Sequence, residues 1–291
     1  MIRWTLAFAT ALAVASPPQD LAAQATDGPT DSDWTVLFDG TSLNGWIPKI
    51  RTFEVGENFA NTFRVEDGLL KVRYDGYDDS FEERFGHLFY ASPFSYYRLS
   101  MDYRFSGDWL PDTPGWAYLN SGVMLHSQDP ATMMTDQDFP ISVEVQFLGE
   151  LEAGSARPTA NMCSPGTHIV LNGELDTRHC INSTSPTIPR ERWVHIEIEV
   201  LGNGAIRHFV DGVLVIEYSG SQVGGGVVNG FDPAVKVDGT PLSGGWIALQ
   251  AEGQELDFRN VRLLHLQGCM DRSSPAYRSW YVASDPGSCR D

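Results

Sequence analysis

A chain of 291 residues with a formal net charge of −18 and a pI near 4.6 is ill suited to nucleic acid or acidic lipid, which are approached through positive patches. Its 28 Gly, 17 Pro, 15 Phe, 10 Tyr and 8 Trp argue against a disordered chain or a helical bundle and point to a turn-rich all-β protein with one large core.

Residues 1–25 read as a secretory signal peptide, with Arg3 as the positive start, an apolar segment over 4–15 and Ala23-Gln24-Ala25 as a small-x-small cleavage site. The apolar segment is short for a membrane span, no later window approaches one, and no cysteine lies near the cleavage site to accept a lipid. The expectation is a periplasmic or secreted protein without a membrane anchor. Residues 26–33 form a polar linker, and 34–266 carry the folded domain.

Along that domain short alternating runs are separated by turn signals. A first strand over 34–38 ends at Asp39-Gly40, and 63–72 reads as a hairpin about Asp67-Gly68. Further strands are expected over 96–105, 120–126, 141–148 and 193–200. A second hairpin covers 206–218 about Asp211-Gly212, and strands over 246–250 and 256–266 follow. No sustained helical periodicity interrupts the series, so the predicted fold is a two-sheet antiparallel sandwich. Residues 219–243, with three consecutive glycines, are expected to form a long surface loop. Residues 267–291 are expected to form a small appended knot.

Four cysteines in an exported chain favour disulfides, and proximity pairs Cys163 with Cys180 and Cys269 with Cys289. Loops of this length are worth roughly 3 kcal/mol each on the chain-entropy estimate. Their spacing is wider than the CxxC pattern of a zinc site.

The run over 141–148 organises the functional reading. Val143, Val145 and Phe147 are expected to face a core, and Ser142, Glu144 and Gln146 the opposite side. In the run over 120–126, Asn120, Met124 and His126 share one side, and pairing of the two strands brings the two polar sets together. A solvated sheet face is the plain alternative. Amides, imidazole and one carboxylate, with no lysine, are the groups a sugar groove needs. Glu144, as the single acid on this face, is the candidate base or metal ligand, and His126 a candidate proton donor. His168 and His179 flank the first cysteine pair, where a disulfide-tied loop could present an imidazole. Asn120, Gln146, His208 and Gln250 are candidate hydroxyl binders. The spacing neither demands nor excludes a divalent cation. No serine nucleophile elbow, phosphate-binding glycine loop, HExxH or ExDxxE strand is present.

Several pieces in order then carry a resemblance: Leu37-Phe38-Asp39-Gly40, Leu43-Asn44-Gly45-Trp46, Asn120-Ser121-Gly122-Val123, Glu144-Val145-Gln146, the hairpin beginning at His208, Ile247-Ala248-Leu249-Gln250 and Phe258-Arg259-Asn260-Val261. Over 34–266 the chain resembles the 3-keto-disaccharide hydrolase domain family. The resemblance implies a concanavalin A-like jelly roll with a concave carbohydrate-handling face. It also implies a glycoside substrate oxidised at C3 by an upstream sugar dehydrogenase and cleaved by C2 proton abstraction, β-elimination and hydration. A non-catalytic carbohydrate-binding module on the same sandwich is the alternative. The insert over 161–180 and the cysteine-tied C-terminus depart from the common family pattern.

Overall fold

The computed structural model describes Met1 and residues 28–290, so the expected signal peptide, apart from Met1, lies outside the described residues. Two antiparallel sheets pack face to face as a jelly-roll sandwich. In spatial order the larger sheet holds β11 (Glu174–Asp176), β10 (Thr167–Leu171), β15 (Val213–Val223), β14 (Ile206–Val210), β13 (Val194–Leu201), β6 (Tyr96–Trp109), β17 (Gln254–His265), β4 (Leu69–Val72) and β3 (Phe63–Glu66). β1 (Trp34–Val36) also pairs with β17. The smaller sheet holds β12 (Cys180–Ile181), β9 (Asn161–Cys163), β8 (Val143–Leu148), β7 (Asn120–Ser127), β16 (Trp246–Ala251), β5 (Gly86–Tyr90) and β2 (Trp46–Ile50).

The core lies between the sheets and is built by alternation. On β13, Val194, Ile196, Ile198 and Val200 are fully buried, and the intervening His195, Glu197 and Glu199 lie among the ionic groups of the outer face. On β8, Val143, Val145 and Phe147 are buried against the larger sheet. There Phe147 stacks on Tyr103 of β6 at 4.2 Å with the rings nearly parallel, tying one sheet to the other. A ring buried in this way contributes roughly 2–3 kcal/mol through lost water contact.

Both hairpins predicted from Asp-Gly pairs are present, Phe63–Glu66 against Leu69–Val72 and Ile206–Val210 against the start of β15. The glycine-rich stretch differs from its expectation at both ends. Its first residues continue β15 as far as Val223, and the rest packs back on the domain, with Val228 joining Ile141 and Val223 in a small apolar cluster. Beyond the sandwich, β18 (Gln267–Gly268) and β19 (Ala283–Ser284) form a short parallel pair beside the Cys269–Cys289 disulfide. The Cys163–Cys180 disulfide staples β9 to β12.

Candidate active site

β8 sits between β7 and β9, with Met124 opposite Glu144, Gly122 opposite Gln146, and Cys163 on the other side of Glu144. Opposed residues of an antiparallel pair share a face, so Asn120, Gly122, Met124, Glu144 and Gln146 all lie on the concave side. One half of that side is filled by Phe89, Met124, Met133 and Ala248, with Ile47 and Trp246 against them. The other half opens into a cavity of about 640 Å³ lined by Asn120, Glu144, Gln146 and Glu252 among others.

Gly122 decides where the Glu144 carboxyl lies. A Cβ at this position would come within 2.7 Å of Glu144 Oε1 and 2.9 Å of the Val145 carbonyl oxygen. The carboxyl therefore rests over the bare backbone of the neighbouring strand. Only 6% of the residue is exposed. Burial, with no hydrogen bond to offset it, pushes this carboxyl up to about 8. Glu252, just past the end of β16, is 2% exposed, and its Oε2 is buried without a partner. Its carboxyl is held well above the ordinary range, first by burial and then by the charge of Glu144. Two interacting buried carboxyls thus face one cavity, and near neutral pH the pair retains a proton that exposed carboxyls would have lost, the charge of an ionised Glu144 favouring the proton on Glu252.

Such a pair costs stability as the pH rises. A carboxyl whose folded value exceeds its unfolded value keeps a proton that the unfolded chain releases, so stability falls between the unfolded value near 4.5 and the folded value near 8. For Glu144 the loss between pH 5 and pH 8 is on the order of 3 kcal/mol. Glu252→Gln removes one of the two raised carboxyls, so urea unfolding at pH 5 and pH 8 should show a flatter dependence in the variant, with the part due to burial of Glu144 remaining. The variant should also be more stable than the parent at pH 8.

The walls are of different kinds. On one side Phe85 packs against Phe139 at 4.9 Å and stacks on Trp116 at 5.7 Å, giving an aromatic wall. Trp116 is 55% exposed, so its face is open to a ligand. The opposite wall holds Cys180 and His179. Partial desolvation holds the His179 imidazole below its ordinary value, although the residue is exposed at the cavity edge. The glycine-rich segment supplies Val227 and Asn229. Asn229 is latched to the Asp138 carboxylate, donating from its backbone N and from Nδ2 at 2.7 Å each. Asn161 Nδ2 donates to Gln146 Oε1 at 3.1 Å, which leaves the Gln146 NH₂ free to donate. Among the described residues the one close trio of metal-binding residue types is Cys163, His179 and Cys180, and its two sulfurs are bonded to each other, so it offers no thiolate.

The model of the 3-keto-alpha-glucoside-1,2-lyase-like domain matches residues 33–264, which take in both sheets and every residue of the cavity. The chain belongs to this family. Its domain is thus of a carbohydrate-active class. No curated protein matches the sequence. Among solved structures, a "Putative glycosyl hydrolase" from Parabacteroides distasonis is similar at 16% identity, with a TM-score of 0.48 over 79% of this chain and 98% of that one. A protein of unknown function with a galectin-like fold from Bacillus subtilis is similar at 11% identity, with a TM-score of 0.48 over 80% and 98%. Carbohydrate-binding module CBM66 from Bacillus subtilis is similar at 15% identity, with a TM-score of 0.42 over 75% and 93%.

In this lyase-like domain the cavity brings together Glu144, Asn120 and Gln146 from the sequence-predicted set, and His179 beside them. Gln250 shares their face, since the pairing of Leu249 with Val123 places it opposite Gly122, but it is buried behind the cavity surface. Three histidines lie elsewhere. His126 adopts a left-handed backbone, φ 49°, where the β7–β16 register slips, so the alternation that would have aimed it beside Glu144 is broken. Its Nε2 instead meets the Gly202 carbonyl oxygen at 3.0 Å. His168 belongs to β10 of the larger sheet and packs on the bare backbone of Gly224 and Gly225, where a Cβ would come within 2.4 and 2.9 Å of the ring. His208 belongs to β14 and is held in the interior between the Ala160 carbonyl oxygen and the Tyr218 hydroxyl, each at 2.9 Å. Burial pushes it down to about 4, and it acts as a neutral core group.

The expectation that Glu144 is the single acid on the face is corrected by Glu252. The predicted strand stops at Gln250, but its period of two continues through Glu252, and following it one step further would have found the second carboxyl.

Proposed function

We propose that this chain is an exported enzyme that cleaves 3-keto-glycosides by elimination followed by hydration. The observation that carries the reading is the buried Glu144–Glu252 pair on the floor of a cavity with one aromatic and one amide-bearing wall. A ketone at C3 acidifies the hydrogen at C2. Ionised Glu144 takes that proton, the C1–O bond breaks as the C1=C2 double bond forms, and protonated Glu252 gives its proton to the departing oxygen. The pair ends with the proton exchanged between its members. Water then adds at C1 and a proton returns to C2, completing hydrolysis; release before that step gives the lyase product. Negative charge collecting on the C3 oxygen is met by the free Gln146 NH₂, and the sugar's C–H face lies on Trp116.

The substrate chemistry requires an upstream sugar dehydrogenase to install the ketone. Two disulfides fit an oxidising compartment, either the periplasm or the exterior. Among the described residues no helix is long and apolar enough to cross a membrane.

The test is incubation of the purified protein with matched 3-keto and unoxidised glycosides, with and without chelator, followed by product analysis. The expected outcome is release of the aglycone or second sugar from the 3-keto member alone. Cleavage of the unoxidised member would overturn the elimination route. Binding of either without turnover would make the domain a carbohydrate-binding module.

A further inference from the structure

A polar row crosses the concave sheet beneath the cavity. Lys49 of β2 is paired with His87 of β5, and His87 with Gln250 of β16. Gln250 lies opposite Gly122 of β7, which faces Gln146 of β8, which faces Asn161 of β9. All these side chains share one face, and at Gly122, where the row has no side chain of its own, the Glu144 carboxyl lies in the gap. The row therefore runs from a buried ammonium, through an imidazole and an amide, to the proposed base.

Its middle is unsatisfied. His87 is fully buried beneath Phe139, their rings 5.8 Å apart, and neither of its nitrogens has a partner; Gln250 Oε1 is buried and unpartnered as well. Buried polar atoms in native proteins are paired, by ordered water where protein is absent. Lys49 is 1% exposed, and its Nζ donates to the carbonyl oxygens of Ile50 at 3.1 Å and Thr135 at 2.9 Å.

We propose that Lys49, His87 and Gln250, bridged by enclosed water, are positioning residues that carry the field of the buried ammonium to the Glu144–Glu252 pair and favour its first ionisation, with Glu144 over the Gly122 gap as the carboxyl that reads it out. This rests on the proposed reaction only for its kinetic consequence. His87 serves as a neutral link, since burial and the Lys49 charge push it down to about 3. Burial brings Lys49 down to about 8, against the pull of Glu54 and Asp136, so its field acts below that pH. The other titratable groups around the Glu144 carboxyl are Glu252, His179, Asp138 and Glu83 on the cavity wall. None of them is a fixed cation.

The experiment is a ¹³C carboxyl NMR titration of glutamate-labelled protein, with the Glu144 signal assigned by its loss in Glu144→Gln. Three strand spacings put the ammonium about 14 Å from the carboxyl. At that range Lys49→Met should raise the Glu144 midpoint by about half to one pH unit. Lys49→Arg should leave it near the parent value, and His87→Phe, which keeps the shape of the ring, should raise it. Should Lys49→Met not fold, the contrast between Lys49→Arg and His87→Phe decides. A midpoint that none of the folded variants moves overturns the proposal, whether or not the protein cleaves any glycoside. If it does cleave, the acidic limb of kcat should move upward with the carboxyl in Lys49→Met and return in Lys49→Arg.

Discussion

Glu144→Gln should lower turnover of a 3-keto-glycoside by about 10²–10⁴-fold while leaving the affinity for an unreactive analogue within a few-fold. The amide fills the same space over Gly122 and keeps one oxygen where the carboxylate had one, so the cavity keeps its shape. What disappears is the group that can take the C2 proton. Isothermal titration with an unoxidised glycoside, beside product release from the 3-keto form, separates the two effects. The substitution also removes a carboxyl that burial holds at about 8, so the variant should gain stability above neutral pH even as it loses activity. A protein whose turnover survives this change does not use Glu144 as its base.

Gly122→Ala should be nearly as damaging, although the residue carries no functional group. Its new methyl would fall 2.7 Å from Glu144 Oε1, closer than carbon and oxygen tolerate, and 2.9 Å from the Val145 carbonyl oxygen, which cannot retreat because it belongs to the ladder. The carboxyl is the softer of the two neighbours and is pushed off the strand. Displacing a reacting group by about 1 Å can cost about 10²-fold in rate, and that is the loss expected in kcat. Elsewhere in the chain, Gly149 also sits tightly against side chains but lies outside the cavity lining, so Gly149→Ala is a control for packing alone. Steady-state kinetics with a thermal midpoint for each variant distinguishes a moved carboxyl from a loosened sheet.

Much of the sandwich was legible because long strands with one dry and one wet face announce themselves by alternation, as in β8 and β13. Several strands that escaped notice are ones where that rule has little to act on. β2 contains Pro48 and a lysine that turns out to be buried, β5 is buried almost throughout, and β9 and β12 have three and two residues. The site was readable to the same extent. Glu144, Gln146 and Asn120 follow from periodicity on paired strands, but register alone cannot foresee a left-handed residue, and His126 is turned away by one. Phe139, Trp116, Val227 and Asn229 come from loops that no period of two describes. Nor does any local signal mark Lys49 and His87, whose importance depends on the order in which distant strands are laid side by side.

The Cys163–Cys180 link closes one edge of the cavity. Cys163 faces Glu144 across one ladder step, and Cys180 forms part of the wall that carries His179. Until those two thiols are joined, the edge of the binding chamber has no covalent seam, and the imidazole beside it hangs on a two-residue strand. On the proposed function, joining these two thiols completes the chamber, so a chain kept in a reducing milieu would lack that covalent seam.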